Sequence, residues 1–199
     1  MQKIWNKILV ITRNELVCMG AIIASLVYAM YYIDVMNPLQ YSLSEIGRHN
    51  YFLFILWCLF SGIATLLNVH RLYARTGYTA KLGKWFLYSG MIFLVFTFLN
   101  MSKDPIIFYW IHVATAILFA VLSFASIALC LIYMSKRSKP YLIATIVLFS
   151  LIFIDIIFLA IYKQMALFES IPLVLSYIVL FFTNFTDSFK VKKVLYETK

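Results

Sequence analysis

Apolar residues in this chain come in long blocks separated by short polar islands, without the period-two alternation that marks the strands of a membrane barrel. Six blocks approach or exceed the roughly 20 helical residues needed to cross a hydrocarbon core. They run from Leu16 to Met36, Tyr51 to Val69, Trp85 to Asn100, Ile106 to Met134, Tyr141 to Tyr162 and Phe168 to Thr186. A helix satisfies its own backbone in lipid, so the pattern predicts an all-α polytopic membrane protein. Its expected form is a single bundle of six transmembrane helices over residues 16–189, preceded by a segment 1–15 and followed by a basic tail 190–199.

Composition narrows the class further. Of the 199 residues, 64% are hydrophobic, 18% aromatic and only 13% charged, outside the range of soluble globular domains. The net charge of +9 invites a nucleic-acid reading, but the distribution of the cations points elsewhere. Lys3, Lys7 and Arg13 precede the first block, and Arg71, Arg75, Lys81 and Lys84 separate the second from the third. Lys136, Arg137 and Lys139 separate the fourth from the fifth, and Lys190, Lys192, Lys193 and Lys199 form the tail. Only Arg48, Lys103 and Lys163 fall on the other side. The positive-inside rule then places both termini in the cytoplasm of a multi-pass cell-membrane protein. Membrane lipids, not nucleic acid, are the expected partner of these charges.

The stretch MQKIWNKILVITR sets Ile4, Trp5, Ile8 and Leu9 on one helical face and Lys3 and Lys7 toward the other, as an amphipathic interfacial helix would. An extension of the first span reads equally well. No small-x-small cleavage site follows the first block, so it is expected to be a retained span and not a secretory signal. Cys18, Cys58 and Cys130 all fall inside spans, which favours buried structural thiols over a disulfide framework. No internal repeat supports a transporter built from duplicated halves.

An ionisable group in hydrocarbon is costly unless paired or hydrated, so each one is a functional hypothesis. His112 lies about 9 Å below the expected outer surface and Asp155 about 10 Å below it, at 1.5 Å of helical rise per residue. Their spans are consecutive and antiparallel, which predicts that imidazole and carboxyl meet. Ser44, Glu45, Arg48 and His49 in the first outer loop, with Asn100, gather at the same level. The inner halves carry mainly Ser, Thr and Asn68. An outward polar pocket lined by Ser44, Glu45, Arg48, Asn100, His112 and Asp155 is therefore the candidate ligand site. The bland readings are an interhelical hydrogen bond for His112, loop surface for Arg48 and His49, and simple solvation for the boundary acids Asp34, Asp104 and Glu169.

Residues 37–50, NPLQYSLSEIGRHN, form the one polar island in the first third of the chain. Pro38 ends the first helix, Gly47 allows a turn, and Ser42 with Glu45 three residues on has the spacing of a capping box. A short helix over the mouth of the bundle follows, either merely capped or acting as a lid. This run, together with the histidine early in WIHVATAILFAVLSF, resembles the six-helix bacterial membrane proteins of the domain of unknown function 998 family, and is similar in outline to DRAM-like membrane proteins. The resemblance implies the six-helix fold and importance for Ser44, Glu45, Gly47 and His112, and implies no reaction. Membrane hydrolases resembling alkaline ceramidase hold zinc with three histidines. Here only His112 lies within a span, so no metal site and no cofactor are expected.

Three functions compete. A lipid head group or small amphiphile bound in the outward pocket ranks first. An oligomeric or accessory subunit comes second, since the nearly uniform apolar surface of LIATIVLFSLIFIDIIFLAIY leaves room for a partner helix or a second copy. A lipid hydrolase using Ser44 or Glu45 with His112 and Asp155 comes third, and the sequence does not decide whether the protein is catalytic.

Overall fold

The computed structural model describes residues 10–99, 106–162 and 165–189. Every regular element among them is helical. Residues 10–13 form a helical turn that leads to Asn14. Then follow α1 (Glu15–Asp34), α2 (Leu43–His49), α3 (Tyr51–Thr76), α4 (Lys81–Leu99), α5 (Ile106–Ser135), α6 (Lys139–Tyr162), α7 (Ala166–Phe185) and a closing 3-10 turn, Asp187–Phe189. Asn100, most of the segment 1–15 and the tail 190–199 lie outside the described residues.

Among the described residues, five helices are long and apolar enough to cross a membrane: α1, α3, α5, α6 and α7. This is the build of a multi-pass membrane protein. The third block of the sequence, α4, is a helix of 19 residues that opens with Lys81 and Lys84, and it is not one of the five. It packs antiparallel along α5. Thr97 lies beside Thr115 at one end, and further along a Cβ on Gly90 would sit 3.1 Å from Ser123 Oγ, so the missing side chain lets the two backbones approach.

Helix ends follow local chemistry. Asn14 caps α1 by accepting from Val17 N–H, and Asn50 caps α3 by accepting from Leu53 N–H. Gly77 closes α3 in the left-handed conformation, at φ +67, which a side-chain-bearing residue adopts only at a cost. Gly47, expected in a turn, instead lies buried within α2.

The end of the bundle opposite α2 is more polar inside than expected. α3 runs on to Thr76 rather than stopping at Val69, and Arg71 and Arg75 are helical residues that bind backbone, not loop cations. Arg71 donates to the carbonyls of Thr12 and Arg13, pairs with Glu15 and lies over the Phe185 ring. Arg75 donates to the carbonyls of Asn184 and Thr186, at the end of α7 where the helix dipole favours a cation. Asn68 Nδ2 donates to Cys18 O at 3.0 Å, and Asn184 Nδ2 donates to Asn68 O at 2.9 Å. Buried carbonyls need donors where water is absent, and these side chains supply them. Midway along, Tyr177 of α7 donates to Ser61 O at 2.8 Å and is met by Ser25 of α1, tying three helices together.

The three cysteines are free and fully buried.

Candidate functional site

Helix α2 is too short to persist alone, and its first turn explains why it does. Ser42 Oγ accepts from Glu45 N–H at 3.2 Å while Glu45 Oε2 accepts from Ser42 N–H at 3.0 Å, the reciprocal capping box that the spacing predicted. A third donor, Leu43 N–H, goes to Glu169 Oε2 of α7 at 2.8 Å. In return Ala166 N–H and Leu167 N–H, at the start of α7, donate to the carbonyls of Tyr41 and Pro38 at 2.8 and 3.2 Å. Two helix beginnings thus satisfy one another's orphan groups. Tyr32 of α1, fully buried, donates to Leu43 O at 2.7 Å. The outcome is a short helix clamped on three sides across one end of the bundle. Glu169, which reads from sequence as a solvated boundary acid, is one of the clamps.

Beneath α2 lies a cavity of about 380 Å³. Leu43, Ser44 and Glu169 line it at the roof, Phe54, Trp57 and Thr65 from α3, and Leu94 and Thr97 from α4. The α5 residues from His112 to Ile127 form its longest wall, with Leu159 of α6 and Pro172, Leu173 and Ser176 of α7 opposite. Most of this lining is apolar. Pro172 sits inside α7, where its missing N–H leaves the carbonyl one turn back without its helical partner. Ile117 and Ala120 line the cavity yet are exposed on the flank of α5, so it opens sideways, toward the surface that faces lipid.

The polar groups of the cavity fall into two sets. His112 Nδ1–H donates to Thr97 O at 2.7 Å. A carbonyl only accepts, so Nδ1 carries a proton, and no hydrogen-bond partner of Nε2 is found among the described residues. The ring packs on Phe54 at 5.9 Å between centroids, and Phe54 in turn stacks on Trp57 at 5.8 Å, so aromatic contacts fix the imidazole's plane. The second set is unpaired. Trp57 Nε1 and Ser123 Oγ are buried without a hydrogen-bond partner, whereas Thr115, for example, bonds back to the Ile111 carbonyl at 2.8 Å. A buried donor left open costs about 1–3 kcal/mol, and both of these atoms are packed within the cavity wall rather than exposed on its surface.

The residues expected from the sequence divide. Ser44 and His112 share the cavity. Glu45 and Arg48 do not line it; they form an ion pair at 3.6 Å and, with Tyr41 and His49, border a separate hollow of about 200 Å³ on the outer side of α2. Asn100 lies outside the described residues. The expected meeting of His112 and Asp155 does not occur, since the imidazole is committed to Thr97 and both Asp155 oxygens are buried with no partner. The physical reason is rotation about the helix axes. Asp155 continues the seam of α6 that buries Tyr141 and Leu148, at intervals of seven residues, while His112 faces α3 and α4. Hydropathy fixes depth, not azimuth.

Trp57, Thr97, Ser123 and Pro172 were not foreseen. Only Pro172 carried a readable signal, as a proline inside an apolar block. Among the described residues no three His, Cys, Asp or Glu side chains gather as a metal site would require. In comparison with known proteins, the chain matches no family model, no curated protein and no solved structure.

Proposed function

We propose that this is a six-span protein of the cell membrane, with both termini in the cytoplasm, whose cavity under α2 opens to the outer half of the bilayer and binds the head of a lipid or small amphiphile. Taking α4 as the sixth span is supported by its antiparallel packing along α5 and by Lys81 and Lys84 at its start, on the side where Lys136, Arg137 and Lys139 also lie. The observation that carries the reading is a cavity of about 380 Å³ under α2 whose largely apolar lining includes a few polar side chains, Ser44, Thr97, His112 and Glu169 among them. A few polar groups in an apolar hollow of about 300–1,000 Å³ are the ordinary makeup of a small-molecule site. The lateral opening at Ile117 and Ala120 gives an acyl chain a path along α5 while its head turns inward.

The hydrolase reading has less support. It asks for a nucleophile touching a base that a third group orients. Ser44 Oγ is instead 3.2 Å from Ser42 Oγ, and a backbone carbonyl, not an acid, holds His112 Nδ1.

The test is to purify the protein in detergent, extract the bound lipid and identify it by mass spectrometry, alongside Ala116→Phe, whose ring would occupy the cavity from the α5 wall. One class of amphiphile retained near one per chain by the native protein and lost by the variant at unchanged melting temperature is the expected result. Retention of the same lipids by both proteins, or no retained lipid in either, refutes the reading.

A further inference from the structure

We infer that the bound amphiphile has a protonated amine as its head, paired with the carboxylate of Glu169; this deepens the binding reading above and rests on it. Glu169 lines the cavity at the roof, in the first turn of α7. Its Oε2 accepts from Leu43 N–H at 2.8 Å, which fixes the carboxyl in place. Its Oε1 takes no hydrogen bond and no ion pair from the described residues and, unlike both oxygens of Asp155, is not sealed from the surface. A positioned carboxylate with one open oxygen at a largely apolar hollow is stabilised by a cation, and by little else.

Among the described residues no lysine or arginine meets that need. The cavity lining contains neither. Arg48 pairs with Glu45 at 3.6 Å, around the separate hollow on the outer side of α2. The other described lysines and arginines, from Arg13 to Lys139, lie at the opposite end of the bundle, before α1 and about the turns that join α3 to α4 and α5 to α6.

The remaining polar lining suits the same head. An ammonium brings three N–H donors and no acceptor, and Glu169 Oε1 takes one of them. The Ser44 hydroxyl oxygen, one residue along from the Leu43 N–H that holds Glu169, lines the same cavity and can accept a second. His112 Nε2, which no described residue engages, can accept another in its unprotonated form. Phe54 and Trp57 also line the cavity, and aromatic faces attract a cation. A phosphate or carboxylate head meets the reverse. It would lie beside Glu169 with no cation to offset it, and the helix-start N–H groups that ordinarily hold anions are spent. Those of Ser42, Leu43 and Glu45 go to carboxyl and hydroxyl oxygens, and those of Ala166 and Leu167 go to the carbonyls of Tyr41 and Pro38. The class that fits is a long-chain primary amine or amino alcohol without phosphate.

Delipidated protein in a maltoside detergent at pH 7.5 can be titrated with three probes of one chain length, the primary alkylamine, the primary alcohol and the free fatty acid, with bound probe read by native mass spectrometry. The amine is expected to bind at least about tenfold more tightly than either of the others, the scale of one buried charge pair. Glu169→Gln keeps an oxygen for Leu43 N–H while removing the charge, so it should bring amine and alcohol to within about twofold of each other. The comparison of probes on the native protein decides the question even where that variant does not fold. Alcohol or fatty acid bound as tightly as the amine overturns the inference about charge and leaves the binding reading standing; the same result follows if Lys103 or Lys163, outside the described residues, already neutralises Glu169. An amine preference that survives in folded Glu169→Gln overturns the assignment to Glu169. Binding of none of the three overturns both readings.

Discussion

Replacing Asp155 by leucine should make the protein more stable. Asp155 is 2% exposed and neither of its carboxyl oxygens has a hydrogen-bond partner. Its neighbours along the same seam, Tyr141 and Leu148, are fully buried, and half-buried Ile152 packs on the core one turn before it. A leucine would extend an apolar seam by one step, in a helix whose other faces are already apolar. Burying an unpaired polar group costs about 1–3 kcal/mol by mutational data, so removal should return about that much. For a chain of this length the melting temperature should rise by roughly 2–4 °C per kcal/mol.

The assay is thermal unfolding in a fixed detergent, with Asp155→Val as a smaller replacement that guards against overpacking, and Asp155→Asn to separate polarity from charge. A fall in melting temperature for both apolar variants refutes the reasoning, because it means that the carboxyl has a stabilising partner in the folded protein. A rise accompanied by loss of function would identify Asp155 as a group kept for activity at the expense of stability.

Ser42→Ala should remove one half of the capping box and cost about 0.5–2 kcal/mol, concentrated at the roof, so amide exchange over residues 43–49 should accelerate while the middle of α5 stays protected. Unchanged exchange there would show that Glu169 and Tyr32 hold α2 without the cap. Asn68→Ala should be among the most damaging single changes at the opposite end, because it removes the side-chain donor to the Cys18 carbonyl and one of the two acceptors of Asn184 Nδ2. The expected loss is about 0.5–1.5 kcal/mol for each hydrogen bond removed, read as a lowered melting temperature, with recovery in Asn68→Gln unexpected because the longer side chain shifts both bonds.

What could be read in advance was local. The capping box at Ser42 and Glu45 is a contact three residues apart, fixed by helix geometry, and it formed as the spacing required. The apolar blocks became helices close to their expected bounds because lipid leaves the backbone no alternative. Hydropathy misjudged the end of the second block for an instructive reason. It counts Arg71 and Arg75 as costs wherever they occur, whereas here each is offset by carbonyls of chain segments far away in sequence. Glu169 was misread in the same way, since its partner Leu43 lies 126 residues away.

The sequence by itself determined that this chain enters a membrane as helices, that a capped turn interrupts it after the first, and that its thiols are buried. Those outcomes depend on hydrophobicity summed over windows and on contacts within one helical turn. Which polar groups share a cavity was left to the tertiary structure, because that depends on how each helix is rotated about its axis. Rotation set His112 against Thr97 and turned Asp155 into the seam of α6. It also brought Trp57 and Ser123, inconspicuous within their apolar blocks, into the wall of the cavity under α2.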